Sequence, residues 1–371
     1  MHPLDYKGCI FNALREVECM NVVEQYNLTL QIEVLKEQSA ETLARLCKLV
    51  DGSGTNDCVE ALKAYSHMVN TELYLATSIQ ELNVLKSDMV ILENTIKALL
   101  TQASHDVNDV KATSDIPDIE SYSAEDFDKA LERTIDLLTF NKNVSSTPHA
   151  VILGGQSGAG KTTIHRVKMM EYKGDYIVID GDTYRAQHPH FRELQEKYGV
   201  DSVDYTKAFA GQMVEAVIDK LSSLKYNLII EGTLRSAAVP INTATLLKSK
   251  GYTVDFCLIA TKPELSYLTT QLRYLEMMIV DPLQARATPK DHHDGIVKSL
   301  VSNSNELQQS GLFESIQVYK RDLEQVYNSK LCTKSVGAVV DQILFGAWTQ
   351  DEAALLEVSK SQEDELRAKL P

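Results

Sequence analysis

One nine-residue stretch limits what this chain can fold into more than any other. Gly155-Gln156-Ser157-Gly158-Ala159-Gly160-Lys161-Thr162, followed by Thr163, satisfies G-x-x-x-x-G-K-[ST] at every fixed position. The apolar run Ala150–Leu153 precedes it as a strand, and a helix is expected from about Thr163. Strand, glycine-rich turn and helix in that order are the context the motif requires. The glycines let main-chain N–H groups turn inward around a phosphate, and the helix N-terminus adds its positive dipole end. Lys161 is expected on the β- and γ-phosphates of ATP or GTP, and the Thr162 hydroxyl on Mg²⁺.

The surrounding pattern predicts an α/β P-loop kinase fold, a parallel sheet flanked by helices, preceded by a small all-α bundle. Short runs at Ala150–Leu153, Tyr176–Ile179, Leu228–Ile230, Val254–Ala260 and Ile316–Tyr319 read as strands buried on both faces, with helical stretches between them. Before them, Leu28, Ile32, Leu35, Leu43, Leu46 and Val50 line one face of a helix over 22–50, which Asp51-Gly52-Ser53-Gly54 ends. A second helical stretch runs over 59–100. Its Leu82, Leu85, Met89, Leu92, Ile96 and Leu99 fit either a coiled-coil-like seam or the core of a helical bundle. Polar residues dominate 101–117, read as a linker, and Ser123 with Asp126 predicts a capping box for a helix lined by Phe127, Leu131, Ile135 and Leu138. The expected domains are therefore 1–100, a linker over 101–117, and 118–371.

Charge and cysteine usage narrow the function classes. A net charge of -15 argues against nucleic-acid binding as the main activity, since that needs a basic surface. Residues 1–110 carry 8 basic and 16 acidic side chains. That acidic part could imitate a phosphate ligand or simply be a solvated surface. The six cysteines form no CxxC or zinc spacing, which suggests a reducing, cytoplasmic compartment. No signal-peptide pattern and no membrane span are expected.

Further candidates follow the strands. Asp182, after the second strand, could take the proton of an attacking hydroxyl or help to hold Mg²⁺, with a helix N-cap as the alternative. Glu231, Thr233 and Arg235 crowd the turn after the third strand, as a polar acceptor would require. Arg273 and Arg286 are candidates for the cations that phosphoryl transfer needs, with ordinary solvated or ion-paired roles as the alternative. The pairs His292-His293 and His188/His190 do not suggest a metal site, because adjacent helical residues point apart.

Taken together, Gly154–Thr163, Ile179-Asp180-Gly181-Asp182, Gln187-His188-Pro189, Ile230-Glu231-Gly232-Thr233, Ala285-Arg286-Ala287-Thr288-Pro289 and His292-His293 resemble the zeta toxin family, most closely its PezT branch. Residues 22–100 resemble the C-terminal helical part of the PezA antitoxin, chiefly through Val23-Glu24-Gln25-Tyr26-Asn27-Leu28-Thr29-Leu30. The resemblance implies a kinase of UDP-N-acetylglucosamine that phosphorylates the 3′-hydroxyl of the amino sugar and so blocks peptidoglycan synthesis. It implies Lys161, Asp182, Arg273 and Arg286 as catalytic residues, Asp182 as the base, and Glu231, Thr233 and Arg235 as the sugar-nucleotide pocket. It also implies that the antitoxin-like part covers the nucleotide site, within one chain or swapped between two, with acidic side chains near Lys161 and the arginines. Residues 1–20 do not resemble a DNA-binding domain. The residues by themselves leave open a kinase of another nucleotide sugar, or a nucleotide-driven switch.

Overall fold

The computed structural model describes residues 22–104, 118–283 and 285–370. The expectations for residues 1–20 and for all but the start of the 101–117 linker lie outside these residues. In chain order, helices α1 (Val22–Ser53), α2 (Asn56–His67), α3 (Ile79–Ser104) and α4 (Ala124–Thr139) come before the first strand, β1 (His149–Gly154). There follow α5 (Lys161–Glu171), β2 (Ile177–Ile179), α6 (Gly181–Tyr184), α7 (Phe191–Tyr198), α8 (Ser202–Ser223) and β3 (Leu228–Ile230). Then come α9 (Ala238–Ser249), β4 (Thr253–Ile259), α10 (Pro263–Val280), α11 (Lys290–Ser310), β5 (Ser315–Tyr319), β6 (Gln325–Asn328), α12 (Val336–Phe345) and α13 (Gln350–Lys369). The described residues divide into two compact units: those over 22–34, 143–180 and 222–370 in one, and those over 35–142 and 181–221 in the other.

The first unit is built on a six-stranded sheet of order β2-β3-β1-β4-β5-β6. β1 to β5 are parallel, with Val151 opposite Ile229 on one side and Asp255 on the other. Their apolar runs are buried on both faces, which is why they read as continuous stretches rather than as alternations. Each expected strand is present to within a residue at either end. The antiparallel β6 was not anticipated, because Gln325-Val326-Tyr327-Asn328 is short and polar. β1 lies at the centre, with β3 on one side and β4 on the other, so the chain's connections diverge from it. In open α/β sheets, ligands bind at such a point, beyond the C-terminal ends of the strands.

In the second unit, α2 packs along α3 and α4. Leu82, Met89 and Ile96 of the α3 seam are buried and Leu85, Leu92 and Leu99 half-buried, as in a bundle core. The stretch over 59–100 is not one helix. A π-turn occupies Met68–Glu72, where the Asn70 amide donates back to the Ser66 carbonyl at 2.9 Å. A fresh start follows at Ser78, whose hydroxyl accepts from the Glu81 N–H at 3.2 Å, while the Glu81 carboxylate accepts from the Thr77 N–H at 2.7 Å. The Ser123–Asp126 capping box forms as expected. The buried face of α4 is rotated from the expected one: Ala130, Thr134 and Leu137 join Leu138 inside, while Phe127, Leu131 and Ile135 are half-buried. Thr134 can be buried because its hydroxyl donates to the Ala130 carbonyl at 2.7 Å. No helix among the described residues is long and apolar enough to cross a membrane.

His188 is fully buried in the second unit, edge-on to Tyr122 and Phe209. The carbonyls of His188 and Pro189 accept from Lys48 Nζ at 3.3 and 2.8 Å. Burial, helped by the neighbouring His190 and Lys48, pushes the imidazole down to about 4. A histidine depressed in the folded state favours the fold above its unfolded value and loses that contribution as pH falls through the folded one. Stability should therefore fall between pH 6.5 and 4, by up to about 3 kcal/mol from this group. Urea melts of the chain across that range should show this slope, and it should be flatter in His188→Phe.

Candidate functional site

The loop after β1 is shaped from outside as well as by its glycines. Gly155 and Gly158 adopt φ of 144° and 72°, and a Cβ at Gly158 would lie 2.0 Å from the Ser266 carbonyl oxygen. Main-chain N–H groups can face a phosphate only if the neighbouring carbonyls face away and find donors. Thr261 Oγ1, beyond β4, donates to the Ala159 carbonyl at 3.0 Å, and Arg321 Nη1, beyond β5, donates to that of Gly158 at 2.7 Å. Gln156, fully buried, turns its side chain inward and donates to the Thr261 carbonyl at 2.5 Å and to Ser266 Oγ at 3.3 Å. The same Ser266 hydroxyl bonds buried His293 Nε2 at 2.9 Å, while His292 is exposed, so the histidine pair does point apart. No side chain caps α5, whose N-cap is Gly160. Its first amides and dipole thus face the loop, as an anion site requires.

Lys161 lies 3.4 and 3.5 Å from the Gly155 and Gln156 carbonyls and 3.6 Å from the Glu231 carboxylate. Glu231 also lies 3.2 Å from buried His165 Nε2. Thr162 and Thr163 are buried beside them and Ser157 is half-buried. After β3, Thr233 is half-buried and Arg235 exposed, and between them Leu234 is held at a φ of 55°, its carbonyl accepting from Asn303 Nδ2 at 2.9 Å. A left-handed leucine costs energy and marks a turn fixed by its surroundings. Arg286 is half-buried in the segment after α10. Asp182 lies in the other unit, exposed in the first turn of α6, where it accepts from Arg185 Nε at 3.0 Å.

The start of α1 belongs to the first unit and is buried on more than one side. Tyr26 and Leu30 enter an apolar cluster with Leu265, Leu272 and Leu275 of α10 and Leu355 and Leu366 of α13; Val34 packs on Met277 and Ala285. The polar face between these residues is buried as well. Thr29 Oγ1 meets Thr163 Oγ1 at 3.2 Å, Glu33 lies 3.8 Å from Arg273, and the Tyr26 ring lies 4.6 Å from the Arg321 guanidinium. Burial pushes the Tyr26 hydroxyl above its usual range, although the Arg321 charge opposes the shift.

A sequence profile of zeta toxins matches residues 133–331, more than half of the chain. The chain belongs to the zeta toxin family. A profile of bacterial epsilon antitoxins matches residues 24–99. An antitoxin segment and a zeta toxin segment are thus fused on one chain, antitoxin first. Toxin PezT of Streptococcus pneumoniae is 55% identical over 252 residues, 68% of this chain and all of that protein. Antitoxin PezA of the same bacterium is 33% identical over 73 residues, 18% of this chain and 46% of its own length. A solved structure from the PezAT chromosomal toxin-antitoxin system of Streptococcus pneumoniae superposes with a TM-score of 0.64 at 52% identity, covering 67% of this chain and all of that one.

In zeta toxin terms, Tyr26, Thr29, Leu30 and Glu33 come from the antitoxin segment, and Thr163, Arg273 and Arg321 from the toxin segment. Acidic contact with an arginine is as expected for Arg273. At the loop the expectation changes: α1 sets a hydroxyl against Thr163, and the carboxylate beside Lys161 is the toxin segment's own Glu231. Thr261, His165 and Arg321 escaped the sequence reading; for Arg321 the available signal was its place at the C-terminal end of a buried strand.

Gly158→Ala forces a Cβ against a fixed carbonyl at a φ that side chains rarely adopt. It should destabilise the fold by about 2 kcal/mol or more, read as a lower urea midpoint with an unchanged slope.

Proposed function

We propose that this chain is a self-inhibited UDP-N-acetylglucosamine kinase, transferring the γ-phosphate of ATP (or GTP) to the 3′-hydroxyl of the amino sugar and so blocking peptidoglycan synthesis from the cytoplasm. The observation that carries the reading is the loop whose carbonyls are tied outward by Thr261 and Arg321 while the start of α5 is left uncapped. Gly155 to Thr163 would supply main-chain donors to the phosphates, and Lys161 a cation. The Thr162 hydroxyl would hold Mg²⁺, which neutralises charge on the phosphates when bound. Arg273 and Arg286 would balance the charge that redistributes in transfer. Glu231, Thr233 and Arg235 would bind the sugar nucleotide, with buried His165 orienting Glu231. Asp182 would accept the hydroxyl proton as the bond to phosphorus forms.

The domain division proposed is 1–100 antitoxin-like, 101–117 linker and 118–371 kinase. The buried contacts of Tyr26, Thr29 and Glu33 support inhibition by α1 at the nucleotide site, within the chain or swapped between copies. A linker of this length holds an attached inhibitor at an effective concentration on the order of millimolar.

Incubation with ATP, Mg²⁺ and UDP-N-acetylglucosamine should yield a product heavier by one phosphate from a chain lacking residues 1–117, and far less from the whole chain. Equal rates from the two would remove self-inhibition, and product from neither would remove the kinase. Asp182→Asn in the shortened chain should lower turnover by about a hundredfold or more while nucleotide binding, followed by calorimetry, stays intact.

A further inference from the structure

Resting on the proposed phosphotransferase reading, we propose that Arg321 is the platform on which the purine base of the phosphate donor stacks, and that Tyr26 occupies that place in the closed chain.

Arg321 follows β5 and touches the phosphate loop directly, through its bond to the Gly158 carbonyl at 2.7 Å. A second contact puts its Cγ within 3.8 Å of where a Cβ on Gly160 would lie. Its planar guanidinium is therefore fixed at one end of the loop by a bond that leaves its flat face available. That face is covered by an aromatic ring, Tyr26, with the ring centre 4.6 Å away. A guanidinium stacks on any π-face, whether of a tyrosine or of a purine.

The pocket fits a tyrosine imperfectly. The Tyr26 hydroxyl is buried beside Thr269 and Ser359, yet among the described residues neither it nor the Ser359 hydroxyl makes a hydrogen bond of good geometry. Buried polar groups left in this way are uncommon. A purine edge, which carries both donors and acceptors, would suit hydroxyls that can do either. Arg321 also borders a small cleft lined by Thr261, Asp322, Thr349 and Leu355.

The relation to the phosphates agrees. Three residues after Tyr26 on the same helix, Thr29 meets Thr163 at the start of α5. Residues three apart on a helix share a face. One face of α1 thus spans from the phosphate loop to Arg321, the two ends a nucleotide must also join.

The test uses the full chain and two probes, ATP and inorganic triphosphate, which lacks a base. Calorimetry on Tyr26→Ala should show ATP binding at least about tenfold tighter than in the unmodified chain, whereas Tyr26→Phe, which keeps the ring, should bind ATP as weakly as the unmodified chain. Adding Arg321→Lys to Tyr26→Ala keeps a donor for Gly158 and removes the flat face. ATP affinity should then fall about five- to thirtyfold further than triphosphate affinity does. Equal weakening of both probes, or of neither, overturns the platform and leaves the phosphate loop standing. Failure of Tyr26→Ala to bind ATP any tighter than the unmodified chain overturns the proposal that Tyr26 holds the place of the base, while the phosphotransferase reading is decided separately by the product assay on the chain lacking residues 1–117.

Discussion

A main chain cannot present its amides to an anion without finding other homes for its carbonyls, and the rest of this site follows from how that is solved. The donors come from the ends of two neighbouring strands: Thr261 after β4 and Arg321 after β5. Gln156 ties the loop to the same region from within. Strand order is therefore part of the binding chemistry. With β1 at the centre and β4 and β5 on one side of it, both donors arrive where the glycines turn.

The same economy shapes α1. A helix that packs on one face needs only one apolar stripe. The segment from Tyr26 to Val34 carries two, and between them Thr29 and Glu33 are buried with polar partners. Burying a hydroxyl or a carboxylate is tolerable only where hydrogen-bonding or charged groups receive it. The toxin segment offers such groups because its own ligand would be polar.

This division explains what the sequence could disclose. The buried strands, the glycine pattern and the capping box at Ser123 are local facts, each dictated by residues within a few positions. So was the α1 stripe through Leu28, Ile32 and Leu46. The second face of α1 was not legible, since Thr29 finds its partner 134 positions away and Arg321 its carbonyl 163 positions away. The rotation of α4 and the break after His67 were hidden for a related reason: Thr134 and Asn70 each satisfy a polar group against their own helix, which no hydrophobic periodicity records.

The apolar cluster around Tyr26 and Leu30 has a consequence for how such a protein can be switched. Burying side chains of that size contributes about 1.5–3 kcal/mol each, whereas the charged pair nearby, Glu33 with Arg273, stands 3.8 Å apart. Contacts between greasy surfaces hardly respond to ionic strength, and a largely buried charge pair is screened far less than an exposed one. A clasp seated mainly on leucines would ride out swings in cellular salt, and would yield instead to events that destroy the helix itself, such as cleavage by a protease.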